Sequence, residues 1–184
     1  HNHVPAWILL KNVSLGTAIN LFKCFNSHNK FEVANIMIPN GNIETKDKIE
    51  LIAVAMEGTR LFRNYAAHSL NFVKCRTTSN IPAETLIKLL PSGTIKRNKK
   101  RKILLAERSH LRGIFGIILS ICVLLNDPLL TRMLLHELKR TLTSPDDELN
   151  KLYNDYMTIS DLPLDTPDRL QVLSDKYKNI FTPQ

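Results

Sequence analysis

The sequence predicts an all-α fold, and three observations support this prediction. In the second half of the chain, three pairs of a helix-capping residue and a proline each precede an amphipathic run. Apolar residues recur at three- and four-residue spacing in both halves, and no segment shows the period-two alternation of a half-buried strand. The 184 residues are 43% hydrophobic and 23% charged, which is typical of a folded globular protein.

The first half of the chain predicts an early helical region and one long helix. Trp7 to Val13 is apolar and leads into Ser14, a candidate N-cap. An apolar stripe follows it, formed by Ala18, Ile19, Leu21, Phe22 and Phe25. The turn-forming residues 39–42 then precede the longest candidate helix, Thr45 to Phe72, in which apolar residues keep helical spacing.

Capping residues followed by proline predict the helices of the second half. Proline suits the first helical position because the N–H that it lacks would have no partner there. Three pairs have this pattern: Asp127-Pro128, Ser144-Pro145 and Thr166-Pro167. The helices predicted after them are Leu129–Leu142, Asp146–Met157 and Asp168–Phe181. We also predict a short helix from Pro82 to Leu90 and a buried helix over Ile103–Asn126.

The domain prediction is a helical bundle at residues 1–126, with a C-terminal helical extension at 127–184 packed on it. The uncharged stretch Gly113 to Leu125 has 13 residues, fewer than the roughly 18 of a membrane helix. The N-terminus shows no basic-then-apolar leader, so we expect a cytoplasmic protein without a membrane partner. The cysteines Cys24, Cys75 and Cys122 are odd in number and widely spaced, which predicts reduced thiols and no metal or other cofactor.

Positive charge favours a polyanionic partner. Lysine plus arginine outnumber aspartate plus glutamate by 25 to 17, a net charge of +8. Six basic residues in seven form one run: Lys96, Arg97, Lys99, Lys100, Arg101 and Lys102, with Asn98 between them. This run is either a solvated loop or a phosphate-contacting patch whose affinity falls with salt, and alone it does not separate RNA from DNA or lipid.

The main group of candidate catalytic residues lies near the end of the long helix, in the segment Arg63-Asn64-Tyr65-Ala66-Ala67-His68. Five residues turn an ideal helix by about 140° net, so Arg63 and His68 lie on different faces, whereas Asn64 and His68 share one. One helix therefore gives a partial site, and two copies across a two-fold axis would bring two of each residue into one cleft.

These residue types suit RNA cleavage by the ribose 2′-hydroxyl. A histidine can exchange a proton near neutral pH, and an arginine can hold the phosphate and stabilise the added charge of the transition state. Asn64 could orient either group. Arg60, one turn earlier, and Tyr65, which could stack on a base, are further candidate RNA contacts. The alternative is an ordinary helix surface, with Arg60 a solvated charge and Tyr65 a packing residue. His110 and His136 are predicted to be surface or hydrogen-bonded histidines.

The six-residue segment resembles the Arg-x4–6-His motif of the HEPN superfamily. The wider stretch, about residues 4 to 76, resembles the Abi family of bacterial abortive-infection proteins, of the AbiD/AbiF type. There a segment like Val4-Pro5-Ala6-Trp7-Ile8-Leu9-Leu10, with a Leu-Gly-Thr like Leu15-Gly16-Thr17, precedes a helix ending in Arg-Asn-x-x-Ala-His.

The resemblance implies a HEPN-like bundle, a homodimer that completes the site, and a metal-independent endoribonuclease acting in phage defence or as a toxin. Carried over by position, Arg63 and His68 would be catalytic and Asn64 would support them. Ser69 and Leu70 depart from relatives that have a basic residue or a tyrosine there. Two alternatives stay open: a non-catalytic RNA-binding or protein-interaction module, and a toxin silenced by a small-RNA or protein antitoxin.

Overall fold

The computed structural model describes residues 13–68 and 71–178, and the regular elements within these ranges are helical, which confirms the all-α prediction. In chain order the α-helices are α1 Leu15–Cys24, α2 Ser27–Met37, α3 Thr45–Ala67, α4 Ala83–Leu89, α5 Leu105–His110, α6 Ile114–Leu124, α7 Pro128–Leu142, α8 Asp147–Ile159 and α9 Thr166–Lys178. A 3-10 turn at Phe72–Lys74 follows α3. The predicted helical region Trp7 to Val13 lies outside the described residues except for Val13, which is not helical.

Two of the predicted caps are confirmed by their hydrogen bonds. The N–H of Thr17 donates to the Ser14 hydroxyl at 3.1 Å, which begins α1. The N–H of Leu130 donates to the Asp127 carboxylate at 2.9 Å, which begins α7. Each cap satisfies one of the N–H groups that a first helical turn leaves without an intrahelical partner.

The other two caps are displaced by a residue or more. Helix α8 is capped by Asp146, not Ser144, because the Asp146 carboxylate accepts from two N–H groups of the first turn while the Ser144 hydroxyl accepts the N–H of Asp146. Helix α9 already includes Thr166, whose hydroxyl donates to the Pro163 carbonyl. Position in sequence alone did not distinguish these neighbouring acceptors.

The long helix is shorter than predicted. Helix α3 ends at Ala67, with His68 as its C-cap, whereas the prediction extended it to Phe72. After the undescribed pair 69–70, the Asn71 side chain accepts the N–H of Lys74 and forms the 3-10 turn. The Phe72 ring then packs edge to face on Phe62, at 5.5 Å between centroids. This contact places the half-buried Phe72 ring against α3 after the helix has ended.

The predicted helix Ile103–Asn126 is two helices, α5 and α6, separated at Leu111–Gly113. The break is held by the segment before α4, since the N–H of Thr77 donates to the carbonyl of Arg112 at 2.8 Å. A Cβ at Gly116 would lie 2.0 Å from the Leu111 carbonyl oxygen, so only glycine permits this close turn.

Helix α3 lies at the centre of the core and packs against α1, α2, α4 and α6. Where it passes α6, a Cβ at Gly58 would lie 2.6 Å from Ile117 Cδ1, so the two helices approach closely at this glycine. Helix α9 packs on α7, and Leu135 and Leu170 belong to the same apolar cluster as the core around α3. The C-terminal helices thus share the core of the rest of the chain, and the boundary at 126/127 stays a prediction.

A buried ion pair ties α9 to α5. The Arg169 guanidinium donates two hydrogen bonds of 2.8 Å to the Glu107 carboxylate, and the side chains are only 5% and 3% exposed. Arg169 also donates to the Thr94 carbonyl and to Asp165, and it lies over the Phe115 ring. Although burial opposes the charge, the Glu107 carboxylate raises the pKa of Arg169. Throughout the described ranges, no helix combines the length and apolar character needed to cross a membrane.

Candidate functional site

The motif residues lie at the exposed C-terminal end of α3. Arg63 and His68 are exposed, and Asn64 between them is half-buried. Arg63 Nη1 donates to Asn64 Oδ1 over a long 3.4 Å, and the backbone N–H of His68 donates to the Asn64 carbonyl at 3.0 Å. Asn64 therefore contacts the arginine through its side chain and the histidine through its backbone.

The geometry of one chain gives an incomplete constellation. His68 is the residue at which the helix ends (φ −101°, ψ 16°), so its ring projects from the helix terminus rather than from a regular turn. In the part of the chain that the structure describes, the side chains of Arg63 and His68 share no hydrogen bond, and neither residue has an ion-pair partner. Both groups are therefore available to an external anion.

The two other candidate RNA contacts near the motif, Arg60 and Tyr65, already have partners within the fold. Arg60 is hydrogen-bonded to Glu57, which also pairs with Lys23 of α1 at 3.6 Å. The Arg60 guanidinium holds the pKa of the Glu57 carboxyl below its usual value. Tyr65 packs against the apolar core. The Arg60–Glu57 pair therefore lies within α3, and Glu57 links α3 to α1 through Lys23.

The basic run at 96–102 forms a tight hairpin rather than an open loop. Its ends pair through a bridge between Arg97 and Ile103, and the Asn98 N–H donates to the Lys102 carbonyl at 2.8 Å. Arg101 takes a positive φ of 58° at the turn.

Inside the hairpin the charges divide into two groups. Lys96 pairs with Asp165, and Arg97 donates to Glu84 at 2.7 Å. Hydrogen bonds from Lys96 and Arg169 outweigh the effect of burial and lower the pKa of Asp165. Four cations of the hairpin remain exposed without an ion pair to any described residue: Lys99, Lys100, Arg101 and Lys102. These four form the basic surface that a polyanion could reach.

The remaining histidines and cysteines occupy ordinary positions. His110 Nδ1 lies 2.7 Å from the Asp161 carbonyl oxygen, as predicted for a hydrogen-bonded histidine, and His136 is exposed beside Glu137. The cysteines are free thiols, with Cys75 and Cys122 buried and Cys24 exposed. Burial raises the pKa of the Cys122 thiol to about 12. Across residues 13–68 and 71–178, no three His, Cys, Asp or Glu side chains are grouped to hold a metal ion.

Arg76, eight residues after His68, has a structural role that the sequence did not indicate. Its guanidinium donates to the carbonyls of Cys75 at 2.8 Å and Ser160 at 3.2 Å, and it lies 3.8 Å from the Asp161 carboxylate. It thereby joins the segment after the motif to the turn after α8. No sequence signal identifies Ser160 and Asp161 as its partners, because they are 84 and 85 positions away.

Fold and site together define an all-helical protein that presents an arginine, an asparagine and a histidine at the free end of its central helix. Residues 1–73 match the model of the Abi-like protein family. The match confirms the resemblance to the Abi family, whereas the HEPN superfamily and the AbiD/AbiF type stay predictions. No curated protein and no solved structure matches the chain.

Proposed function

We propose that this chain is a metal-independent endoribonuclease of an abortive-infection or toxin–antitoxin system, with Arg63, Asn64 and His68 of two subunits forming its active site. The match to the Abi-like family supports a role in abortive infection, a form of phage defence. The observation that carries the catalytic part is the exposed Arg63-Asn64…His68 group at the end of α3. Arg60, by contrast, is paired with a carboxylate one turn earlier.

The proposed reaction is attack of a ribose 2′-hydroxyl on the adjacent phosphate. His68 of one subunit takes the 2′-hydroxyl proton as the new O2′–P bond forms. Arg63 holds the non-bridging oxygens and stabilises their added negative charge. The P–O5′ bond breaks as His68 of the second subunit supplies a proton to the leaving oxygen. The products are a 2′,3′-cyclic phosphate and a 5′-hydroxyl.

Cleavage assays with matched variants test this proposal. The full chain is incubated with 5′-labelled single-stranded RNA and a chelator, and His68→Ala and Arg63→Ala are compared with wild type. The controls are His136→Ala and Arg140→Ala, which remove an exposed imidazole and an exposed guanidinium from α7. We expect losses of about 10²-fold or more for the motif variants and less than about twofold for the controls. Circular dichroism establishes that each variant is folded.

Two results would reject the enzyme. The first is equal cleavage by the motif variants and the controls, which would assign the activity to a contaminant. The second is products with 5′-phosphate ends, which this chemistry does not give. Light scattering tests the homodimer by the mass of the particle, expected to be that of two 21.0-kDa chains.

The exposed hairpin cations favour one second candidate, an RNA-binding module of the same fold without catalysis. RNA retained by the wild-type chain and never cleaved would support it. If an antitoxin silences the enzyme, the purified protein would carry nucleic acid or a partner protein, and cleavage would begin once that partner is removed. A high 260/280 absorbance ratio after purification would identify a nucleic-acid antitoxin.

A further inference from the structure

A second candidate site lies between the start of α4 and the α5–α6 junction, and none of the motif residues 63–68 lines it. It is a cavity of about 650 Å³, within the size range of pockets that hold small ligands. Three arginines contribute to its lining: Arg76, Arg108 and Arg112. Apolar side chains form the rest of the wall, among them Ile81, Ile103 and Leu111. Neither the proposed ribonuclease site nor the family match includes α5 or α6.

The cavity lining carries an excess of positive charge, with three arginines against one glutamate. Its lining carboxylate, among the described residues, is Glu84, and that carboxylate already accepts a hydrogen bond from Arg97. Arg112 makes a long 3.4 Å hydrogen bond to the Thr77 carbonyl. The Arg108 guanidinium makes no hydrogen bond or ion pair with any residue in the described ranges. Guanidinium N–H groups are therefore available to an anion, and their planar fork suits a phosphate.

The apolar part of the wall narrows the chemistry of the ligand. Leu105 is 84% exposed, although it lines the cavity, so an apolar surface faces the solvent at its mouth. A free phosphate would leave this surface uncovered. A ligand that combines a phosphate with a flat, weakly polar ring would satisfy the arginines and cover the leucine.

We infer that this cavity binds a nucleoside phosphate, with its phosphate on Arg108 and Arg112 and its base against the wall near Leu105. The ligand is either a free nucleotide or one unit of a single-stranded RNA. The adjoining hairpin is relevant to the second source. Ile103 lines the cavity and also closes the hairpin by pairing with Arg97, so the exposed cations of residues 99–102 begin at its rim.

Titration calorimetry on the full chain tests the inference and separates the two sources. All proteins carry His68→Ala, so that RNA is not consumed and loss of cleavage does not affect the readout. The probes are AMP, UMP, a single-stranded RNA hexamer and inorganic phosphate. The test variant is Arg108→Gln, and the control is Lys151→Gln, which removes one exposed charge from α8.

We expect Arg108→Gln to weaken binding about tenfold or more, the effect of losing one charge-assisted hydrogen bond, and Lys151→Gln to change it less than twofold. Binding of AMP or UMP would identify a free nucleotide, and binding of the hexamer alone would identify an RNA strand. Equal affinity for inorganic phosphate and nucleotides would overturn the assignment of the base. Absence of all binding, or equal binding by Arg108→Gln and Lys151→Gln, would overturn the site. The ribonuclease proposal is unaffected by either result.

Discussion

Replacement of Arg169 by methionine tests the buried ion pair more directly than any other single change. Methionine fills a similar volume but supplies no donor, so the Glu107 carboxylate, 3% exposed, would lose both of its hydrogen bonds from the guanidinium. The Thr94 carbonyl would lose its hydrogen bond from the same group. The variant therefore leaves the buried Glu107 carboxylate without the hydrogen bonds that Arg169 donates.

The expected cost follows from that burial. Removing one partner of a buried, hydrogen-bonded ion pair destabilises a protein by about 3–5 kcal/mol. That loss is a large part of the roughly 5–15 kcal/mol that stabilises a typical domain. For a chain of this size, each kcal/mol corresponds to about 2–4 °C in Tm, so Arg169→Met should lower the Tm by about 6–20 °C. Thermal unfolding followed by circular dichroism measures the shift.

Two further variants make the test specific. Arg140→Met removes the same group from an exposed pair with Glu137, whose side chains are 74% and 59% exposed, and should leave the Tm nearly unchanged, since water and salt screen an exposed pair. The double variant Arg169→Met, Glu107→Leu removes both buried charges and should recover most of the lost stability. If Arg169→Met were no worse than Arg140→Met, or the double variant no better than Arg169→Met, the role assigned to this pair would be wrong.

Two other predictions concern titrating groups. Because the pKa of Asp165 is lowered in the folded chain, its contribution to stability is complete above about pH 4 and is lost as the pH falls through the folded pKa. The gap in Tm between wild type and Asp165→Asn should therefore narrow on acidification below about pH 4, and a constant gap from pH 7 to pH 3 would contradict this. In native protein at pH 8, a thiol reagent should modify Cys24 quickly and spare Cys75 and Cys122, whose pKa values burial raises. Rapid modification of three thiols without denaturant would show that the core is open.

Most helices could be predicted because their signals are local. The caps Ser14 and Asp127 act on N–H groups three residues away, and the apolar period of α3 lies within one segment. The breaks were not predictable in this way. The division of α5 from α6 depends on Thr77, 35 positions before its partner Arg112, and the end of α3 depends on the packing of Phe72 on Phe62. Such contacts between distant segments leave no periodic trace in the sequence.

The candidate site was predictable only through residue types and resemblance. Spacing indicated that Arg63 and His68 would not meet on one helix, and in the described part of the chain their side chains share no hydrogen bond. The ion pair between Arg60 and Glu57 could have been predicted from the sequence, since the two residues are three positions apart on one helix. The arginines of the cavity between α4 and the α5–α6 junction were not predictable, because Arg76 and Arg108 are distant in sequence and line one cavity only in the folded chain.

The packing of α3 has a consequence for how the matched family segment is handled in the laboratory. The family match ends at residue 73, yet α4 and α6, which pack against α3, come later in the chain. A protein truncated after residue 73 would expose the apolar surface of α3 to water, and we expect it to aggregate instead of folding. The segment that matches the family is therefore shorter than the set of helices that buries α3.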